Sequence, residues 1–163
     1  MKSLYSFDSG CFINSWNDLY PPDLFPDLWG QLGVLIENGS ILVCQDVFLE
    51  IRKGGDELYT WLKRYGSHVQ PVDGEIQERV RAILRTHRLL IPKDGRRSGA
   101  DPFVIATAML NNCTVVTTER HGNGQKKIKI PNVCDDYKVL HINFLAFLRK
   151  EFNEGLRPRD NMK

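Results

Sequence analysis

Residues Ser98 to Arg120 read SGADPFVIATAMLNNCTVVTTER. One acid, Asp101, stands ahead of a nearly all-apolar helical run from Pro102 to Asn112. A second, Glu119, closes a β-branched strand running from Thr114 to Thr118. A helix apolar on nearly every side is a buried one. In an open α/β sheet functional groups collect at the carboxyl ends of the strands, so this unit aims Thr117, Thr118 and Glu119 at the expected crevice. Other acids of the chain then become candidates for the same edge.

Upstream, Ser3 to Phe7 predicts a short strand ending at Asp8, followed by a helix from Cys11 to about Tyr20 that Pro21-Pro22 breaks. Asp23 to Glu37 has a helical period carried mainly after Pro26, with Gly33 weakening the helix and Asn38-Gly39 stopping it. Ser40 to Cys44 reads as a buried strand. Asp46 then reads as the N-cap of a helix bearing Val47, Phe48, Ile51 and, at its middle, Glu50. Asp56 starts another helix, with Leu58, Trp61, Leu62 and Tyr65 as its stripe. Gly66 to Gly74 is a loop or short strand, and Glu75 to Leu90 an amphipathic surface helix.

Downstream of Glu119 come a polar loop, RHGNGQKK, and a short extended piece around Ile128 to Pro131. Asn132 to Tyr137 is a turn or short helix, Val139 to Ile142 a last strand, and Asn143 to Phe152 a closing helix. Residues 156–163 are expected to fray. Strands separated by helices predict a three-layer α/β/α protein with a mostly parallel central sheet, in a single domain over residues 1–155.

The 163-residue chain is 42% hydrophobic and 26% charged, enough for one self-sufficient core. Its apolar runs fall short of the roughly 20 residues of a membrane span. The N-terminus has no signal-peptide pattern, so a cytoplasmic protein is expected. Cys11, Cys44, Cys113 and Cys134 are far apart and lack zinc-ligand spacing; they read as buried reduced thiols. His68, His87, His121 and His141 are equally scattered, and none stands by a serine or cysteine in a nucleophile setting. The net charge of +2 conceals two basic clusters. One spans Arg85 to Arg97, the other Arg120 to Lys129, and they flank Asp101 and Glu119. Cations that hold a polyanion beside carboxylates that hold a metal are what a phosphodiester-cutting site requires.

Singly, each acid has an ordinary structural reading. Asp8 before Ser9-Gly10 fits an Asx-turn, and Glu50 a solvent-facing helix position. Asp101 before Pro102 fits an N-cap, and Glu119 an exposed turn. Taken in order, Tyr5-Ser6-Phe7-Asp8-Ser9, Asp46-Val47-Phe48-Leu49-Glu50-Ile51, Gly99-Ala100-Asp101-Pro102-Phe103-Val104-Ile105-Ala106-Thr107-Ala108 and Val115-Val116-Thr117-Thr118-Glu119-Arg120 resemble the PIN domain. That family is a small α/β nuclease fold. It has an acid after the first strand, a glutamate in an early helix, an aspartate opening a buried helix, and a Thr-x-Asp after the next strand. The resemblance covers most of the chain and is nearest to a bacterial branch related to VapC-type toxins.

The resemblance implies a three-layer PIN-like fold and a metal-dependent endoribonuclease, the toxin of a toxin-antitoxin pair. Asp8, Glu50, Asp101 and Glu119 would be the catalytic and metal-binding acids, with Ser9 and Thr117 as supporting hydroxyls. Arg96, Arg97, Arg120, Lys126 and Lys127 are the candidate phosphate contacts. An all-oxygen donor set suits Mg2+ or Mn2+ rather than zinc. RNA is the implied substrate, and an antitoxin and a second copy of the chain are the implied partners. Two positions depart from the family: Gly10 stands where an Asn is usual, leaving that amide missing, and the fourth acid is Glu119 rather than Asp. Those departures keep open a weak or inactive PIN-like module that binds RNA or protein. A haloacid-dehalogenase-like phosphatase would need a second Asp where Gly10 stands. A receiver domain would need paired acids after the first strand and a lysine after the last, and neither is evident.

Overall fold

The central sheet is built from four short strands. The computed structural model describes residues 2–91, 99–124 and 126–156. The strands are β1 (Tyr5–Phe7), β2 (Ile41–Leu42), β3 (Thr114–Val116) and β4 (His141–Ile142), all parallel, in the order β2-β1-β3-β4. Phe7 lies opposite Val116, and Val116 opposite Ile142. Asp8 and Thr117 therefore leave neighbouring strands at the same level. The helices are α1 (Ser9–Asn14), α2 (Pro26–Glu37), α3 (Gln45–Gly54), α4 (Glu57–Lys63), α5 (Gly74–Thr86), α6 (Asp101–Asn111), α7 (Ile130–Asp136) and α8 (Phe144–Glu151).

Side-chain alternation along β1 sets the layers. Tyr5 and Phe7 face α8, where Phe147 sits 4.9 Å from each ring, nearly edge-on. Phe12 of α1 joins the same face, 5.4 Å from Phe7. Ser6 points to the other face and donates to the Val104 carbonyl of α6 at 2.8 Å. Helices thus cover both faces, the expected three-layer α/β/α arrangement. Burying several large aromatics at edge-to-face distance is the main source of cohesion in such a core. All four cysteines are buried and unpaired, and burial pushes the Cys44, Cys113 and Cys134 thiols up to about 12. Among the described residues no helix is long and apolar enough to cross a membrane.

Several local expectations are corrected. The helix beginning near Cys11 ends at Asn14 and gives way to a π-helical turn over Ser15–Leu19. That turn carries Trp16 onto Trp29 and Trp61, with centroids 4.7 and 6.0 Å away. Asp46 is not the cap of α3: Cys44 holds the N-cap with its backbone, and Asp46 lies in the first turn, where a negative charge complements the helix dipole. Asp101 is not a cap either; Ala100 is, so Asp101 is the first residue of α6. Gly33 does more than weaken α2. A Cβ there would lie 2.1 Å from the Tyr65 hydroxyl, so the glycine is the notch into which Tyr65 packs. The extended piece expected through Ile130 and Pro131 is instead the start of α7. Around Gln70 the chain adds one parallel bridge to Cys44 beyond β2. The frayed tail is expected from residue 156, and 157–163 fall outside the described residues.

Candidate active site at the carboxyl edge of the sheet

Asp8 is the first residue after β1 and also the N-cap of α1. Its Oδ1 accepts from the Cys11 amide at 2.8 Å, and its Oδ2 accepts from the Thr117 hydroxyl. The side chain is 3% exposed. Burial raises its pKa above the usual carboxylate range, and the Thr117 and Cys11 donors only partly offset this. Its hydrogen-bond donors are neutral, so no cation compensates this charge among the described residues. Cys11 closes the floor: its thiol donates to the Val116 carbonyl at 3.1 Å and is held far above its ordinary pKa by burial and by Asp8. A buried anion satisfied by dipoles alone is a fit for a hard divalent cation, whose preferred donors are carboxylate and hydroxyl oxygens.

Asp101 reaches this edge by a different route. A helix that precedes a parallel strand runs antiparallel to it, so the N-terminus of α6 lies at the carboxyl edge. The Ser6–Val104 bond seats that end of α6 against β1. Asp101 is 7% exposed. Glu50 is half-buried on α3, which packs against α1.

Glu119 is placed at the edge but turned toward α7. Its Oε1 accepts from Lys129 Nζ at 3.0 Å and its Oε2 from the Ile130 amide at 3.0 Å. Its own amide donates to the Thr117 hydroxyl at 3.0 Å, so Thr117 bridges Asp8 and Glu119. Ser9 is buried at the first position of α1. No three of the four acids have ligand atoms within 4.8 Å of one another; the group that does, among the described residues, is His121, Asp135 and His141. Glu119 is engaged instead by Lys129 and the Ile130 amide. Of the phosphate-contact candidates, Arg120, Lys126 and Lys127 are exposed on the loop after β3. Arg96 and Arg97 lie outside the described residues.

Two features were missed from sequence. One is a side-chain amide close to Gly10, that of Asn14. Asn14 Nδ2 donates to the Thr118 hydroxyl at 3.2 Å and lies 3.6 Å from where a Gly10 Cβ would stand. A Cβ on Gly10 would itself meet that hydroxyl at 2.5 Å, so glycine here makes room for the Asn14–Thr118 bond. The i, i+4 spacing of Gly10 and Asn14 was the available signal. The second feature is the convergence of His121 and His141, read as scattered, on Asp135. Both histidines also line a cleft of about 830 Å3 with Thr117, Thr118, Glu119 and Leu19.

The chain belongs to the family described as a domain of unknown function (DUF4411), whose match spans residues 5–154. No curated protein matches it. Among solved structures it is similar to a chain of VapBC2 from Rickettsia felis, a structure described as bound to a DNA fragment from their promoter. The TM-score is 0.51 at 14% identity, covering 86% of this chain and 98% of that one. At that identity the likeness speaks for the fold, and the fold is the PIN-like one expected from sequence.

Proposed function

We propose that the protein is a metal-dependent endoribonuclease of the PIN type, acting in the cytoplasm as the toxin of a toxin-antitoxin pair. The observation that carries this reading is Asp8, a buried carboxylate at the sheet's carboxyl edge whose donors among the described residues are a neutral amide and a neutral hydroxyl. Asp8, Asp101 and Glu50 are the proposed Mg2+ or Mn2+ ligands. Glu119 would join them on giving up Lys129. When bound, the ion supplies Lewis acidity toward the scissile phosphate and lowers the pKa of an attacking water. Thr117 orients Asp8 through its hydroxyl, and Asn14 fixes Thr118 beside it. Arg120, Lys126 and Lys127, with Arg96 and Arg97, would hold the RNA backbone by charge. An antitoxin that covers this edge, and a homodimer, are the proposed partners; the antitoxin is supported by the likeness to a chain of a VapBC2 assembly.

The test is RNA cleavage with Mg2+ or Mn2+ by the wild type and by Asp101→Asn. Loss of about a hundredfold or more in the variant, at unchanged circular dichroism, is expected. Equal rates in the two proteins would reject the assignment. A second reading is favoured by the engagement of both Glu119 oxygens with α7. In it the chain is a weak or inactive PIN-like module that binds RNA or protein. Wild type that retains RNA in a filter assay but cuts none would support it.

A further inference from the structure

We propose that His121, Asp135 and His141 form a second metal site, for a borderline divalent ion of the Zn2+ class, separate from the acids around Asp8. His121 lies in the loop after β3, Asp135 near the end of α7 and His141 at the start of β4. The two imidazoles approach different oxygens of one carboxylate. His121 Nε2 is 2.7 Å from Asp135 Oδ2, and His141 Nε2 is 2.9 Å from Asp135 Oδ1. The rings stand 5.6 Å apart at 69°, and the ligand atoms all fall within 4.8 Å of one another. Two nitrogens and one oxygen select ions late in the first transition row over Mg2+ or Ca2+, which take oxygen. The donor preference is thus opposite to that of Asp8.

The placement of the three side chains is fixed from behind. Asn132 of α7 accepts at Oδ1 from the Gly122 amide (2.8 Å) and the Lys129 amide (3.0 Å), and donates from Nδ2 to the Gly122 carbonyl at 3.3 Å. Gly122 is pressed so closely on the Lys127 carbonyl that a Cβ would come within 2.0 Å of it. The residue next to His121 is therefore pinned to the helix that carries Asp135, while His141 is held by strand pairing. Drawing the three donors onto one ion needs side-chain rotation rather than backbone movement. His121 and His141 also line the 830 Å3 cleft, so coordination positions left over by three protein donors open toward it, as in zinc sites with an exchangeable position.

The experiment is calorimetric titration of the metal-free full chain with Zn2+, with Co2+ visible absorption as a second probe. One Zn2+ per chain is expected. His121→Ala and His141→Ala should each weaken binding at least about tenfold and remove the Co2+ bands, with millimolar Mg2+ not competing. Where His141→Ala lowers the metal-free Tm, His141→Gln replaces it. Asp101→Asn should leave Zn2+ binding unchanged, which keeps this inference separable from the nuclease reading. Absence of saturable binding would overturn the proposal, as would binding indifferent to both histidine substitutions. Binding lost in Asp101→Asn but kept in His121→Ala would place the ion among the acids and overturn it equally.

Discussion

Asp8 and Asp135 are the same chemical group in two different media. Asp8 is buried, held by a hydroxyl and an amide, and desolvation raises its pKa. Asp135 is exposed, and its pKa is lowered chiefly by hydrogen bonds to His121 and then His141. Burial works against the charged form of the first carboxylate, and hydrogen bonds from its own neighbours favour that of the second. A buried carboxylate opposed by desolvation bears on the stability of the metal-free fold, whereas an exposed, hydrogen-bonded one adds little to it.

The strongest way to break the comparison is Asp8→Asn. Metal-dependent cleavage should fall by about a hundredfold or more, while the Tm of the metal-free protein rises by a few degrees at neutral pH. The sign follows from the raised folded-state pKa. Below the usual carboxylate range both states are protonated, and variant and wild type should coincide. The destabilisation grows as pH climbs through the ordinary value and is complete above the raised one. Scanning calorimetry across pH reads this directly, and a Tm gain of constant size at every pH would refute the burial argument.

Gly10→Ala tests the crowding beside Asp8. The new methyl must displace the Thr118 hydroxyl and break its bond with Asn14, costing about 1–3 kcal/mol in urea unfolding. Glu119→Gln sharpens the comparison from the α7 side. Loss of the charged bond to Lys129 should cost about 1–2 kcal/mol and speed hydrogen exchange at the Ile130 amide. Unaltered exchange there would mean that Glu119 does not hold the helix start. The smallest effect belongs to Asp135→Asn. The lowered pKa makes any contribution of this acid present above the ordinary carboxylate range and lost as pH falls through the lowered value. Its exposure limits the change in metal-free Tm at neutral pH to within about one degree.

The parts legible in sequence are those where one segment states its own environment. Val115 and Val116 could only be a buried strand, α6 could only be a buried helix, and Asp8 and Thr117 follow their strands directly. The N-caps Asp56 and Asn143 show the same local logic, each accepting an amide three residues on. The illegible parts depend on partners distant in the chain. Glu119 finds Lys129 ten residues later, at a helix start disguised by the β-branched-looking run Ile128-Lys129-Ile130. Gly33 is explained by a Tyr65 ring on another helix. His121, Asp135 and His141 come from a loop, a helix and a strand, so no spacing rule links them. Asp46 misled because a backbone, not a side chain, begins α3.

The indole cluster of Trp16, Trp29 and Trp61 has a practical consequence. Trp29 and Trp61 lie 5.0 Å apart, and Trp16 arrives on the turn directly after α1. Trp29 is anchored by an Nε1 bond to the Tyr20 carbonyl at 2.7 Å, while Trp16 follows the helix that Asp8 caps and Trp61 packs on its Phe12. These are all three tryptophans of the chain. Intrinsic fluorescence is therefore a built-in gauge of whether that helix is seated, readable in dilute solution without a label.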